Sequence, residues 1–590
     1  MRSRSVEVFS LAVLIFPPLA LLYYVRLFGV NAVFWDEWDI VPLLQKATSR
    51  TLSVQDLFAQ ANEFRPFFPR LLMLALDRFT RFNTIAEMVL SWLLLCMIGL
   101  LIFFSFQKTL LNRSRGISLL LFLPISLLLF SFRQFEGILW GVNLLIYMAI
   151  FGLIAAFYFL ESSRTIDLRF AVASLCGVLA SFSWSTGLLV WPIGLFQILV
   201  SKRRNITTAT LWTLIGLVVW SVYFYNWAPT FGPSQYAYSV HHPTIGIEFF
   251  LANLASPFVF PPTWPVPYGL ALAVVGLVII VQLTRGRLAK KSIFGLSLVM
   301  YSLAASVATT VGRSFFGVSA ALWSRYTLDA AIGIIGLYIL ALSVSRATRA
   351  KRSTFGSFGT HALLALLLLG LITGYVGGWQ EGQYWHGSMQ ISAYVLRTYP
   401  MQSEAGIRTY LVWDPAILRA DAPFLEMQQL NVFSEPSINL STLPIRNSSD
   451  TAYGIDTCPE SLPSIISGTI TEPCSEHVPT SNYAVQVINS TTEETIIITG
   501  WAVDEQASSV ASAVFIVIDG QIVMPTLYGL TRPDVAESLK NMNFENSGFI
   551  ALFSSSLLRP GQHAIALAIV SKNSTFASIT PRAGALVVEN

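Results

Sequence analysis

Residues 9–39, FSLAVLIFPPLALLYYVRLFGVNAVFWDEWD, decide the fold, because a long apolar segment runs directly into a cluster of acids and tryptophans. The apolar part, 9–30, is long enough to cross a bilayer as a helix. It is followed by no small-residue cleavage site before the acidic cluster, so we interpret it as a retained membrane helix rather than a signal peptide. Acidic groups where a helix leaves the bilayer are either solvated loop residues or functional groups, and tryptophan favours the headgroup depth.

The composition of the whole chain is that of a membrane protein. Hydrophobic residues make up 54% of the 590 residues and charged residues only 12%, whereas a soluble domain carries about 25% charged residues. Apolar runs near the length of a membrane crossing occur eleven times. We therefore predict a polytopic α-helical membrane protein with about eleven transmembrane helices. The predicted spans lie near 9–30, 86–106, 116–132, 142–160, 168–183, 186–201, 207–227, 266–284, 292–311, 326–345 and 359–377.

The distribution of lysine and arginine predicts the orientation of these spans, because basic residues collect in short cytoplasmic loops. With a cytoplasmic N-terminus every alternate loop is basic, and the odd number of spans puts the chain after Trp379 outside. We interpret Ile245–Phe260 as a re-entrant or interfacial segment, and 168–183 with 186–201 as two spans, since either alternative would move a basic loop outside. The basic residues of the predicted inside loops are Lys108, Arg113, Arg115, Arg164, Arg169, Lys202, Arg203, Arg204, Arg285, Arg287, Lys290, Lys291, Arg346, Arg349, Lys351 and Arg352.

These patterns divide the chain into three regions. Residues 1–380 form the predicted transmembrane domain, with a large first external loop at 31–85. Residues 381–481 form a mixed extracytoplasmic connecting region with some helix and loop. Residues 482–590 predict a small β-sandwich, because strand-like runs such as TIIIT and VFIVI alternate with turn signals such as Asp519-Gly520.

The four cysteines fall into two groups. Cys96 and Cys176 lie inside predicted spans, where we interpret them as packing residues. Cys458 and Cys474 lie in the predicted outside tail. An oxidising compartment would let these two form a disulfide, and the alternative is a pair of free thiols.

The predicted outside loops gather carboxylates, arginines and aromatic residues on one membrane face. Such a face suits a sugar carried on a lipid phosphate, because a carboxylate can deprotonate an attacking hydroxyl and arginine binds phosphate through a planar fork. The adjacent His241 and His242 do not make a metal site by themselves. The candidate substrate-binding residues of these loops are Asp39, Glu63, Arg65, Arg70, Gln134, Glu136, Arg313, Arg325 and Tyr326.

At these residues the chain resembles the GT-C superfamily of polytopic glycosyltransferases, which use polyprenyl-phosphate-linked sugars. Members have an acidic motif, often Asp-Glu, in the first long external loop, where this chain has Asp36-Glu37. More narrowly, it resembles a group of uncharacterised bacterial membrane proteins whose second motif usually reads Asn-Glu-His-Arg; here Phe64 replaces the histidine, so no imidazole stands at this position. The matching stretches are WDEWD at 35–39, NEFRPFFPRL at 62–71, QFEGILWG at 134–141, SFSWSTGLLVWP at 181–192 and WSRY at 323–326.

The tail also resembles a known module. Its motifs GWAVD at 500–504, RPDV at 532–535 and SGF at 547–549 are similar to a β-sandwich appended to such bacterial enzymes. The resemblance covers most of the chain. Its motifs are moderately specific for the GT-C architecture and do not identify the sugar.

The resemblance implies an inverting transfer of a sugar from a polyprenyl-phosphate carrier to an extracytoplasmic glycan, lipid or protein. Asp36 and Glu37 are the implied catalytic residues, with Asp36 as the general base. Glu37 and Asp39 would position the acceptor or, together with Asp36, bind a divalent cation such as Mg²⁺ or Mn²⁺; no other cofactor is expected. Arg313 and Arg325 would hold the phosphate.

The expected partners are the lipid-linked sugar, the acceptor and membrane lipids, without nucleic acid. The expected location is the plasma or inner membrane. Two other functions stay open: a polysaccharide polymerase or ligase, and a lipid-linked-sugar transporter (a flippase). A transporter should show inverted repeats and charges near the bilayer midplane, whereas here the charges lie at span ends on one face. The acidic cluster can also be read as solvated loop residues.

Overall fold

The structure is a computed structural model, and it describes residues 2–109, 115–163, 165–201, 205–258, 263–285, 292–349, 355–447, 451–455, 484–485, 495–581 and 583–588. The chain divides into two compact units, which are described separately. The membrane unit comprises Met1–Gly29, Lys46–Thr80 and Ile85–Gly382. The tail unit comprises Val30–Gln45, Arg81–Thr84 and Gln383–Asn590.

Within the described residues, nine helices are long and apolar enough to cross a membrane. They coincide with nine of the eleven predicted spans, which confirms a mostly helical, multi-pass membrane protein. The last of them continues well past the predicted end at residue 377 and contains the boundary between the two units. The nine spans are Ser10–Phe28, Thr84–Lys108, Gly116–Ile138, Gly141–Ser162, Ile206–Phe224, Pro265–Arg285, Ile293–Phe316, Ser324–Ser345 and Gly359–Arg397. Their main α-helices are Arg2–Phe28, Thr84–Thr109, Arg115–Leu129, Leu144–Ser162, Ile206–Phe224, Pro265–Arg285, Ile293–Arg313, Thr327–Arg349 and Phe355–Arg397.

The other two predicted spans correspond to shorter apolar helices, so the total of eleven crossings stays a prediction. Leu168–Ser181 and Ser185–Val200 are separate segments, as the sequence predicted for this pair. The turn between them is tight at Gly187, where an added Cβ would lie 1.9 Å from the carbonyl oxygen of Ala180. Only glycine therefore fits at this position of the turn.

The segment predicted as re-entrant or interfacial contains a helix of 13 residues, Pro243–Ala255. This helix is too short to cross a bilayer. It packs directly on the helix Pro265–Arg285, since a Cβ at Gly269 would lie 1.8 Å from the carbonyl oxygen of Leu251.

Short helical segments connect the long helices. Those in the membrane unit or at its boundary are Val41–Thr48, Val54–Phe58, Phe67–Thr80, Phe132–Gln134, Phe135–Ile138, Gly141–Asn143, Pro233–Tyr236, Tyr238–His241, Ser314–Phe316, Val318–Leu322 and Ser324–Tyr326. Those of the tail unit are Trp35–Ile40, Tyr399–Met401, Glu404–Tyr410, Pro415–Met427, Asn431–Ser434, Leu440–Thr442, Pro533–Ser538, Met542–Phe544 and Ser555–Leu557.

The helix Phe67–Thr80 buries a carboxyl group. Asp77 is only 4% exposed, and among the described residues neither of its carboxylate oxygens has a hydrogen-bond partner. Burial raises the pKa of Asp77 to about 7, because removal from water penalises the charged form. Because the folded state favours the neutral form of Asp77, the free energy of unfolding falls as the pH rises from 3.8, the ordinary pKa of the group, through about 7.

Replacing Asp77 with asparagine is therefore expected to raise the midpoint of thermal unfolding at pH 8 by several degrees, and much less at pH 4.5. The physical reason is that the amide stays neutral, whereas each unit of pKa shift is worth roughly 1.4 kcal/mol. Unfolding of the full-length protein in detergent micelles measures the effect. Glu537→Gln, at an exposed acid of the tail unit, is the control. An equal gain at both pH values would contradict the assignment.

The tail unit contains two β-sheets that share one hydrophobic core. The core is built from inward-facing side chains of both sheets, such as Ile498 and Phe549 from one and Ile516 and Leu567 from the other. The first sheet has the order Ile445–Asn447, Ala577–Ile579, Gly561–Val570, Gly584–Val588 and Ala484–Val485, with Ala513–Ile518 pairing Gly561–Val570 and Ile522–Pro525. The second has the order Thr451–Ile455, Thr495–Asp504, Gly548–Ser554 and Leu527–Leu530, with Ser509–Val510 pairing Thr495–Asp504.

Most pairings in these sheets are antiparallel. The exceptions are Ile445–Asn447 with Ala577–Ile579 and Ala484–Val485 with Gly584–Val588, which are parallel. The predicted turn at Asp519-Gly520 connects two antiparallel strands, and both residues have positive φ. The strands at Ile445–Asn447 and Thr451–Ile455 come from the region predicted as a connecting segment, so the sheets begin earlier in the chain than residue 482.

The tail motifs serve the packing of these sheets. A Cβ at Gly500 would lie 2.3 Å from the carbonyl oxygen of Gly454 on the neighbouring strand. The carboxylate of Asp504 accepts hydrogen bonds from the backbone N–H groups of Ala507 and Lys572, at 3.0 and 2.9 Å. Arg532 forms a forked ion pair with Asp534. These contacts give the motif residues a structural role.

Cys96 and Cys176 are free, half-buried thiols, the first on the membrane helix Thr84–Thr109 and the second on the shorter apolar helix Leu168–Ser181. Cys458 and Cys474 lie outside the described residues, and their disulfide stays a prediction.

Candidate functional site

The acidic run at 35–39 folds as a short 3₁₀-helix, Trp35–Ile40, in the tail unit. Residues three apart share a face of a 3₁₀-helix, because it has three residues per turn. Asp36 and Asp39 therefore lie on one face, where Asp36 is half-buried and Asp39 exposed. Glu37 points elsewhere and is only 1% exposed. The fold thus separates three carboxylates that are nearly adjacent in sequence.

Glu37 takes part in the local fold. Its Oε2 atom accepts a hydrogen bond of 2.9 Å from the backbone N–H of Phe34, which satisfies a donor at the start of the helix. Next to it, Trp35 has a φ of +44°, an uncommon backbone conformation for a side chain of this size. The Trp35 N–H donates to the carbonyl of Leu411 at 2.9 Å. The acidic run is therefore held in a strained and well-anchored conformation, as functional segments often are.

The carboxylates of the run do not form a metal site made of protein ligands alone. Across the described ranges, no group of three or more histidine, cysteine, aspartate or glutamate side chains is placed to hold an ion. Glu37 is also engaged by Phe34.

In the membrane unit, five connecting segments meet at one end of the helices. They contain residues 58–70, 133–136, 182–184, 228–236 and 313–326. The 58–70 segment contacts three of the others. Gln60 exchanges hydrogen bonds with the backbone of Ala228, and the ring of Phe64 lies 4.3 Å from that of Trp184. The remaining contacts of this kind are Phe68 N–H to Phe182 O, Glu63 to Arg313, Arg133 to Leu322 O, and Glu136 N–H to Ser324 Oγ.

The first charged centre at this end pairs Glu63 with Arg313. The Arg313 guanidinium donates from Nη1 to Oε1 at 3.0 Å and from Nη2 to Oε2 at 2.9 Å. Both side chains are partly exposed, at 16% for Glu63 and 21% for Arg313. The Tyr236 hydroxyl donates to Glu63 Oε1 at 3.3 Å, and the guanidinium carbon of Arg313 lies 5.2 Å from the ring centroid of Phe231. The centre is a bidentate ion pair beside an aromatic ring.

Tyr236 stays protonated and is a reliable donor to this centre. Burial and the neighbouring carboxylate of Glu63 raise the pKa of the Tyr236 hydroxyl above its usual value of 10.0, because both disfavour a phenolate.

The second charged centre contains Glu136, Arg325 and Arg133. Arg325 Nε lies 3.6 Å from Glu136 Oε1, and its guanidinium carbon lies 4.6 Å from the ring centroid of Trp323. Arg133 is 7% exposed and donates through Nη2 to the carbonyl of Leu322. Its electrostatic neighbours include Glu136 and Glu381. Within the described part of the chain, the Nε atoms of both Arg133 and Arg325 have no hydrogen-bond acceptor.

An aromatic strip joins the two centres. The ring centroids of Phe231 and Phe316 are 6.0 Å apart, and those of Phe316 and Trp323 are 5.4 Å apart. Trp323 in turn stacks on Tyr326, at 6.2 Å. Tyr326 itself is buried, and it is a hydrogen-bonding and electrostatic neighbour of Arg313.

The remaining predicted binding residues are engaged with the protein. Arg65 donates to the backbone carbonyls of Tyr223, Phe58 and Tyr225, at 2.7, 2.9 and 2.6 Å. Arg70 is buried and donates to the carbonyls of residues 56, 57 and 59. Gln134 is buried as well, with its amide bonded to Leu129 O and to the Tyr147 hydroxyl. These three side chains hold loops in place.

Two residues of the centres were not among the predicted site residues. Arg133 stands next to Gln134 in sequence, and only its burial beside Glu136 distinguishes it from other loop arginines. Tyr236 lies in an aromatic-rich loop with no local pattern that would single it out. The contacts with Glu136 and Glu63 span long sequence distances, so one sequence without an alignment gives no signal for them.

Comparisons with known proteins found no matching family model, no similar curated protein and no similar solved structure.

Proposed function

We propose that the chain is a membrane glycosyltransferase of the GT-C type, which moves a sugar from a polyprenyl-phosphate carrier to an extracytoplasmic acceptor with inversion. The observation that carries the proposal is the pair of arginine–carboxylate centres, joined by an aromatic strip, at one end of the membrane helices. A lipid-linked sugar phosphate has the matching chemistry: an anion, a sugar ring and an apolar chain.

The arginines fit a phosphate for two physical reasons. A guanidinium presents several N–H donors in a fixed plane and can bind two phosphate oxygens at once. Arg133 Nε and Arg325 Nε both lack an acceptor in the described structure, and unmet donors at a largely buried site are costly unless a ligand satisfies them. An anion that accepts from both would remove this cost.

The aromatic strip supports the rest of the donor. Phe316 is 48% exposed and lies between the two centres, so it offers an apolar face beside the anion-binding arginines. Sugar rings and isoprenoid chains both have apolar faces that bury well against aromatic rings.

The proposed reaction is a single displacement at the anomeric carbon. The acceptor hydroxyl oxygen forms a bond to this carbon, and its proton passes to a carboxylate. The bond between the anomeric carbon and the phosphate oxygen breaks, and its electron pair leaves with the polyprenyl phosphate. A phosphate needs no general acid as a leaving group, and the arginines stabilise its charge. Asp36 is the proposed base on the strength of its sequence motif, with Glu37 and Asp39 in supporting positions.

The proposal is tested with purified full-length protein in lipid nanodiscs. A panel of polyprenyl-phosphate sugars is offered with envelope glycans, lipids and peptides as acceptors, and released polyprenyl phosphate is measured. We expect one member of the panel to be consumed, and the same sugars on nucleotide carriers to be ignored. Consumption of a nucleotide sugar, or transport of an intact lipid-linked sugar across the bilayer, would overturn the proposal.

A further inference from the structure

Glu63 occupies the position at Arg313 that an incoming phosphate would need. Its two carboxylate oxygens accept from both terminal nitrogens of the guanidinium, at 3.0 and 2.9 Å. This is the bidentate geometry that arginine also adopts with phosphate. Since the two terminal donors of Arg313 both face Glu63, a phosphate cannot bind them in the same way until the carboxylate leaves.

The backbone around Glu63 is fixed. Ala61 and Phe64 exchange two backbone hydrogen bonds of 2.9 and 3.0 Å, and the Tyr223 hydroxyl donates to the carbonyl of Glu63 at 2.8 Å. Two residues after Glu63, the Arg65 guanidinium donates to the carbonyls of Tyr223 and Tyr225. The segment is therefore anchored on both sides of Glu63, and an exchange of anions at Arg313 requires only a rotation of the Glu63 side chain.

The surroundings of Glu63 favour such a rotation. The side chain is partly exposed, so its carboxylate can reach water when it leaves the arginine. The Tyr236 hydroxyl contacts Oε1 at the longer distance of 3.3 Å and adds a weaker restraint. A glutamate buried without access to water would have no such second position, because an isolated buried charge is too costly.

We propose that Glu63 is the resident counter-ion of Arg313 and that the phosphate of the polyprenyl carrier displaces it when the sugar has been transferred, so that Glu63 sets the affinity for the released carrier. This inference rests on the proposed function and concerns its regulation. When no carrier phosphate is bound, the Glu63 carboxylate holds the Arg313 guanidinium in place. It also compensates the positive charge of Arg313, so that other anions do not bind there. The intact donor is a phosphodiester with a single negative charge, whereas the polyprenyl phosphate released by transfer is a monoester with a larger negative charge and three terminal acceptor oxygens. The released carrier can therefore compete with the single charge of a carboxylate.

The proposal predicts that Glu63→Gln binds a polyprenyl monophosphate about tenfold more tightly than the unchanged protein. The amide has nearly the same shape but no charge, so Arg313 no longer has to give up an ion pair. Tyr236→Phe is expected to tighten binding by about twofold to threefold, because it removes one restraint on the Glu63 carboxylate. Binding of a short isoprenyl monophosphate to the full-length protein in nanodiscs, by titration calorimetry, measures both effects.

Three variants control the experiment. Arg313→Gln should weaken binding about tenfold, and adding Glu63→Gln to it should give a much smaller gain than in the unchanged background, because only the direct repulsion between the carboxylate and the phosphate is then removed. Glu161→Gln changes the ion pair with Lys108 at another place in the membrane unit and should leave binding unchanged. Thermal unfolding of each variant checks that it is folded.

The possible results separate the two proposals. If the unchanged protein binds the probe and Arg313→Gln weakens binding, but Glu63→Gln binds equally or more weakly, the counter-ion role is wrong and the proposed function stands. If only Glu63→Gln binds the probe, the counter-ion role is supported in its strongest form. If neither protein binds any polyprenyl phosphate, both proposals fail.

Discussion

Replacing Asp36 with asparagine is expected to lower the rate of sugar transfer by about 10²–10⁴-fold, the usual contribution of a general base. Asparagine keeps the shape of the side chain but cannot accept the proton of the acceptor hydroxyl. Donor binding should change by less than about threefold, because Asp36 is assigned to the acceptor. The measurement is single-turnover transfer by the full-length protein, with donor affinity determined separately.

The 3₁₀-helix supplies a matched control for this prediction. Asp39 lies on the same face of the helix as Asp36 and is more exposed, so Asp39→Asn should lower transfer by less than about tenfold. Glu37 is less suited to serve as the base, because it is buried and one of its oxygens accepts from Phe34. Full transfer by Asp36→Asn, with a large loss in Asp39→Asn, would move the base to Asp39.

The membrane helices could be predicted from sequence because each is a local feature. A run such as 86–106 is apolar along most of its length, with Glu87 in its first turn, and its helical end lies within a few residues of the predicted one. The prediction was least complete for the last helix, which continues from 377 to Arg397. Its final turns carry polar residues, so they fall below any hydropathy threshold even though the backbone stays helical.

The roles of individual arginines could not be predicted in the same way. Arg65, Arg70 and Arg313 have the same side chain and all lie in or next to predicted outside loops. The structure distinguishes them by their partners: backbone carbonyls surround Arg65 and Arg70, whereas Arg313 faces a carboxylate. Those partners depend on how distant segments pack, and hydropathy and charge distribution carry no information about such packing.

The structure of the acidic run 35–39 also could not be fully predicted from its sequence. The sequence identifies 35–39 as a special segment and ranks Asp36 first as the base, but it does not predict how the three carboxylates are placed relative to one another. A 3₁₀-helix, rather than an extended loop, places Asp36 and Asp39 together and directs Glu37 into the protein. The choice between helix and loop depends on contacts such as that of Trp35 N–H with Leu411, which lies far along the chain.

Replacing Arg325 with glutamine is expected to lower kcat/KM for the lipid-linked sugar by about 10²-fold, the scale observed when a preorganised donor to a developing negative charge is removed. Arg325 Nε has no acceptor in the described structure and lies 3.6 Å from Glu136. The guanidinium lies over the Trp323 ring, unlike the guanidinium of Arg70, which donates to backbone carbonyls. It is therefore preorganised for an anion, and its loss should raise KM and lower kcat together.

Arg325→Lys should recover only part of this loss, because an ammonium keeps the charge but not the planar fork. Arg70→Gln is the informative contrast, since the Arg70 guanidinium donates through Nη1 to the backbone carbonyls of residues 56, 57 and 59, although its Nε, like that of Arg325, has no hydrogen-bond acceptor in the described structure. We expect Arg70→Gln to lower the midpoint of thermal unfolding while kcat/KM per folded molecule stays within about threefold, because unmet buried carbonyls act on folding. A reversed pattern, with transfer lost in Arg70→Gln and kept in Arg325→Gln, would assign phosphate binding to the first loop instead of the Trp323–Tyr326 segment.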